Sequence, residues 1–67
     1  MKFWIARDPD GELNIFTEKP QLYHYLYEDG FDGENKSPIN LDLFPELTFE
    51  NSPQEVELKI VEKCNFG

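Results

Sequence analysis

The chain has 67 residues, with fourteen acids against six bases for a net charge of −8, one cysteine and one histidine. That length makes one domain spanning residues 1–67, whose core supplies roughly 3–5 kcal/mol of net stability. A single cysteine excludes an internal disulfide, one cysteine with one histidine excludes a zinc site, and the negative field disfavours direct nucleic-acid binding and anionic membranes.

The acid excess is uneven. Residues 28–57 hold nine acids and one base, while the rest of the chain holds five of each. Ten aromatic residues offer large apolar areas to a small core, and self-association is a second way to enlarge it.

Residues 2–7 (Lys-Phe-Trp-Ile-Ala-Arg) read as a first strand. Phe3 and Ile5 point one way, Trp4 and Ala6 the other, so both faces are covered and the strand is central. Asp8-Pro9-Asp10-Gly11 is a turn, and residues 12–18 form a second strand, together predicting an N-terminal β-hairpin. Leu13 and Ile15 share one face; Asn14 and Phe16 share the other. Pro20 ends the pattern.

Residues 21–29 read two ways. As a helix, Leu22, Tyr23, Leu26 and Tyr27 form one stripe, with Pro20 near the first turn and Gly30 after the end. As a strand, Tyr23, Tyr25 and Tyr27 align on one face, and tyrosine favours strands. The terminal signals favour one short helix. Residues 28–38, polar with two glycines, predict a flexible loop. A further strand falls at 39–41 or 47–50. Leu43 and Phe44 read as apolar plugs, and 50–53 as a turn cluster. Residues 55–62 alternate as a last strand, with Val56, Leu58 and Ile60 facing the core. Residues 65–67 read as frayed. The expected fold class is α+β, mainly β: a small antiparallel sheet of three to four strands, with one short helix or turn packed on one face.

Catalytic chemistry finds little footing. The best acid–base candidate is His24 between two tyrosines, and its ordinary reading is a surface or half-buried imidazole bonded to solvent or a nearby carboxylate. Ser37 and Ser52 precede prolines and read as turn residues, and Cys64 has no partner to orient a substrate. Asp8, Asp10 and Glu12 alternate like calcium-loop ligands, but Gly11 falls at the fourth position rather than the sixth; Gly33 likewise spoils the cluster from Asp29 to Asn35. No glycine-rich phosphate loop is present. The expectation is therefore no catalytic residue, no metal and no cofactor. Met1-Lys2 leads into a strand pattern, not a secretory apolar stretch, and no segment approaches the roughly 20 apolar residues of a membrane span, so the expected setting is cytoplasmic.

Two stretches carry a likeness: residues 3–8 with Asp10-Gly11 and Glu18-Lys19-Pro20, and residues 43–53 with Glu55-Val56-Glu57-Leu58. They resemble a group of short uncharacterised proteins of Bacteroides-type gut bacteria and their phages. The likeness covers both ends and leaves 21–40 uncovered. That group has no assigned activity, so the resemblance implies a bacterial or phage setting and transfers no functional residue.

What remains is contact. Surplus aromatics beside an acidic run suit a basic protein surface. The expected function is a non-catalytic acidic protein-interaction module using Tyr23, Tyr25, Tyr27, Asp29, Phe31, Asp32 and Glu34, with a basic protein partner or a second copy as occupant. The alternative is a nucleic-acid mimic that inhibits a DNA- or RNA-binding enzyme, which requires rows of carboxylates at phosphate-like spacing.

Overall fold

The computed structural model describes residues 1–59. It contains six strands: β1 (Lys2–Arg7), β2 (Leu13–Phe16), β3 (Gln21–His24), β4 (Asp29–Asp32), β5 (Ser37–Ile39) and β6 (Gln54–Glu57). They form a four-stranded antiparallel sheet in the order β5-β2-β1-β6 and a separate two-stranded sheet of β3 and β4.

β1 and β2 occupy the middle of the larger sheet, as apolar residues on both of their faces require. Trp4 pairs with Phe16, Ile5 with Ile15 and Ala6 with Asn14. Directly paired residues share a face, so the period of two sorts the core into two clusters. Ile5, Leu13 and Leu47 form one, with Ile15, Ile39, Phe44 and Val56 against it. Ala6, Phe16 and Phe31 form the other, with Trp4 and Phe49 against it. The sheet is therefore the middle layer. Segment 40–53 covers the first face through Phe44 and Leu47. The β3–β4 arm covers the second through Phe31.

The connection between β1 and β2 closes by backbone bonds from Asp8 N–H to the Glu12 carbonyl (2.8 Å) and from Gly11 N–H to the Asp8 carbonyl (2.9 Å). Gly11 has φ +97°. Nothing lies within 4 Å of where its Cβ would stand, so glycine is required by backbone conformation, not by space.

Segment 40–53 contains no strand, yet it is pinned. The Arg7 guanidinium donates to five backbone carbonyls: Nε to Leu47 (2.6 Å), Nη1 to Gly11 (2.8 Å) and Leu41 (3.2 Å), and Nη2 to Leu43 (3.0 Å) and Phe44 (3.1 Å). These five bonds use all five of its N–H groups. Thr48 and Asn51 bond reciprocally through side chain and backbone, and Ser52 Oγ donates to the Thr48 carbonyl (2.6 Å) while accepting Arg7 N–H (2.9 Å).

Several expectations are corrected. The described residues contain no helix. Residues 21–24 are β3, and four residues of the predicted loop are β4, paired with it from Gln21↔Asp32 to His24↔Asp29. A nine-residue helix is marginal on its own, and its stripe of Leu22, Tyr23, Leu26 and Tyr27 finds no free sheet face, because Phe31 and Phe49 fill one and Phe44 and Leu47 the other. The fifth strand falls at 37–39, and residues 47–50 are not a strand. Phe44 packs on the core, but Leu43 is exposed, its place taken by Leu47. In the last strand Val56 faces the core, whereas Leu58, bonded to Met1 just past the end of β6, is 49% exposed. Ile60, Cys64 and the predicted frayed end at 65–67 lie outside the described residues.

Replacing Arg7 with lysine keeps the charge but supplies neither the planar fork nor five donors. Arg7→Lys is expected to lower stability by about 1–2 kcal/mol, from partly buried carbonyls left unpaired. The check is urea unfolding combined with amide exchange at Leu43 and Leu47. A change of only a few tenths of a kcal/mol would show that segment 40–53 stands without the clamp.

Candidate functional site

β3 and β4 form an arm that leaves the main sheet after Pro20 and returns at Gly33. Its root is packed. Adding a Cβ to Gly33 would place it 3.2 Å from Pro20 Cα and 3.4 Å from the Phe16 ring. The Asp8 carboxylate accepts Phe31 N–H (2.9 Å), tying the arm to the turn after β1. Thr17 N–H donates to the Glu34 carbonyl (3.2 Å), and Asn35 Nδ2 donates to Thr17 Oγ1 (3.0 Å).

The far end of the arm is different. Tyr25 N–H donates to the Glu28 carbonyl (3.1 Å), which leaves Leu26 and Tyr27 as a two-residue loop. These side chains are 86% and 93% exposed. Neither has positive φ, so the turn is not of the glycine- or asparagine-bearing type I′. A leucine and a tyrosine side chain thus stand together in water at the loop tip.

Behind the tip, Tyr23 and Tyr25 lie side by side, ring centroids 6.1 Å apart and tilted 32°. The Tyr25 ring crosses Gly30, where an added Cβ would come within 3.3 Å of its Cε2 and 3.7 Å of Asp8 Oδ2. The Tyr25 hydroxyl is held above its ordinary value of 10.0, first by desolvation, then by the Asp32 carboxylate, with Tyr23 and Asp8 adding to it. Tyr25 thus sits among negative charge with no base beside it. On the other face, His24 Nδ1 meets Asp29 Oδ1 at 2.8 Å. The imidazole stands beside a carboxylate as expected, but on an open surface with no wall to hold a substrate.

The predicted site residues divide accordingly. Tyr23, Tyr25, Tyr27, Asp32 and Glu34 are exposed on the arm, and Asp29 is half-buried beside His24. Phe31 is corrected: it is only 4% exposed and packs with Ala6, Phe16 and Phe49. On β4 Asp32 reaches water because it alternates to the other face, and Asp29 is half-buried nearer the tip; Gly30 between them is buried as well. Leu26 was missed as a contact residue. The signal was its place in a run without turn residues, which the helical reading assigned to a buried stripe.

Two other places hold chemistry-bearing groups. Asp8, Asp10 and Glu12 bring carboxylate oxygens within 4.8 Å of one another. Two of those carboxylates already serve the fold, Asp8 by capping Phe31 N–H and Asp10 by accepting Glu12 N–H (3.0 Å). A cleft of about 510 Å³ lies between the β1–β2 turn and segment 41–50, with Asp8, Asp42 and Glu50 on its walls. Its one guanidinium, Arg7, has no donor left for a ligand. No helix among the described residues is long and apolar enough to cross a membrane.

Comparison with family models, curated proteins and solved structures finds no match to the chain. Function is therefore read from the arm itself.

Two outcomes follow. Phe31→Ala removes a buried ring and is expected to cost about 3–5 kcal/mol, comparable with the whole net stability of so small a domain; circular dichroism should show an unfolded or barely folded chain. Tyr25 gives a pH signature. Its raised value favours the neutral phenol in the folded state, so its contribution is present below pH 10.0 and lost as pH climbs through the folded value. Tyrosinate absorbance should show a late-titrating component that Tyr25→Phe removes.

Proposed function

We propose that this chain is a non-catalytic, acidic protein-interaction module whose β3–β4 arm grips a basic protein surface. The observation that carries the reading is the arm's tip: Leu26 and Tyr27 are the most exposed large apolar side chains among the described residues. Exposed large apolar residues grouped on one projection mark contact sites more often than they serve a monomer. Tyrosine suits such a role, since it offers a rigid apolar body with a polar end.

Charge supplies the partner's chemistry. Glu28, Asp29, Asp32 and Glu34 lie on or beside the arm, and residues 21–34 include no lysine or arginine. A basic surface would be drawn to this field and would place its cations against the Tyr23 and Tyr25 rings. A second copy is the weaker occupant, because it would bring another −8 to a surface already negative. Steering of this kind speeds encounter and fades with salt.

The double variant Leu26→Ser, Tyr27→Ser tests the reading. Both side chains lie outside the core, so thermal stability should stay within about 0.5 kcal/mol of the parent. Capture of a basic protein from lysate at low salt should be lost with the variant and weakened for the parent at high salt. A partner held equally by parent and variant would move the contact site off the arm.

A further inference from the structure

The arm's two long edges are unequal, and register shows why. In an antiparallel pair the backbone N–H groups point alternately toward the partner strand and away from it. Phe31 N–H points outward from β4, to Asp8. Its pairing partner Leu22 must then turn its own N–H and carbonyl outward from β3, and His24, two residues on, does the same. The bond from Tyr25 N–H to Glu28 fits the same alternation. So the outer edge of β4 is capped by a carboxylate, whereas the outer edge of β3 presents the peptide groups of Leu22 and His24, unpaired among the described residues.

The other edges carry the usual guards. β5 is three residues long and contains Pro38; β6 presents Glu55 and Glu57. β3 carries neither proline nor lysine, and an open edge of that kind templates an added strand.

We infer that the outer edge of β3 binds an extended basic segment by strand addition, the segment's main chain pairing with Leu22 and His24 and its alternate arginine or lysine side chains lying over Tyr23 and Tyr25 beside Asp32. The occupant follows from charge. A residue opposite Tyr23 on an added strand stands about 4.5–5.5 Å away at Cβ, within reach of both rings. The carboxylates around those rings favour a cation there and oppose a second copy of this chain. This rests on the proposed role of the arm and adds to it the backbone geometry of the contact.

The probe is a synthetic peptide of alternating arginine and threonine. A second peptide of the same sequence carries N-methyl groups on alternate residues, made in both registers, so that charge is kept and one edge cannot pair. The unmethylated peptide should bind, and it should slow amide exchange at Leu22 and His24. Methylation of the pairing edge should weaken binding roughly tenfold, as expected for the loss of one or two net backbone bonds. Leu22→Pro, which removes one outward N–H, should weaken it similarly, while Leu22→Thr should not. Equal binding by methylated and plain peptides overturns strand addition but leaves the charged aromatic contact standing. Protection of the same amides by self-association of the chain alone overturns it as well, the edge then belonging to a second copy. No binding by either peptide, together with no lysate partner that depends on Leu26 and Tyr27, overturns both this inference and the reading beneath it.

Discussion

One guanidinium organises the larger part of this molecule. Arg7 ends the central strand β1, and its five N–H groups all reach backbone carbonyls of Gly11 and segment 41–47. A loop of fourteen residues between β5 and β6 has no ladder to satisfy its peptide groups. Arg7 satisfies four of its carbonyls from below, and so helps keep Phe44 and Leu47 seated on Ile5 and Leu13. The charge needs no carboxylate partner there, because five carbonyl dipoles take the place of water around it.

The neighbouring residue performs the matching task on the arm. Arg7 turns toward the loop layer, while the Asp8 carboxylate reaches Phe31 N–H of β4. Two adjacent residues at the end of one strand thus secure both layers that cover the sheet. This explains how a chain whose single cysteine allows no internal disulfide orders so many irregular residues. It also explains why the carboxylates of the first turn read as structural: Asp8 is already engaged in holding the fold.

The arm is where structure departs from economy. Its root contributes Phe31 to the core, and Gly30 and Gly33 let the rings of Tyr25 and Phe16 approach the backbone closely. Its tip contributes nothing to the core. In a domain whose stability is a small remainder of large opposing terms, apolar side chains held out in water among carboxylates add little to the fold, and the proposed contact is placed on them for that reason. The open edge of β3 and the paired tyrosine rings lie on that same projection.

Much of this was legible in the residues. The mainly β class, the central place of β1, and the sorting of Trp4 and Phe16 from Ile5 and Ile15 all follow from a period of two, which depends only on neighbours in the chain. The turn at residues 8–11 follows from its Asp, Pro and Gly. The negative field follows from counting charges. The arm did not follow, because Leu26-Tyr27 lacks any turn residue and because Leu22, Tyr23, Leu26 and Tyr27 satisfy a helical stripe as readily as a strand. Whether that stripe is buried depends on which sheet face is free, and faces are allotted by Phe31, Phe44, Leu47 and Phe49 only once the chain has folded. The same holds for Arg7. Sequence alone placed it at the end of a strand; only tertiary structure brought four distant carbonyls to its donors beside the nearby one of Gly11, since contacts across 34 to 40 residues depend on topology and not on local pattern.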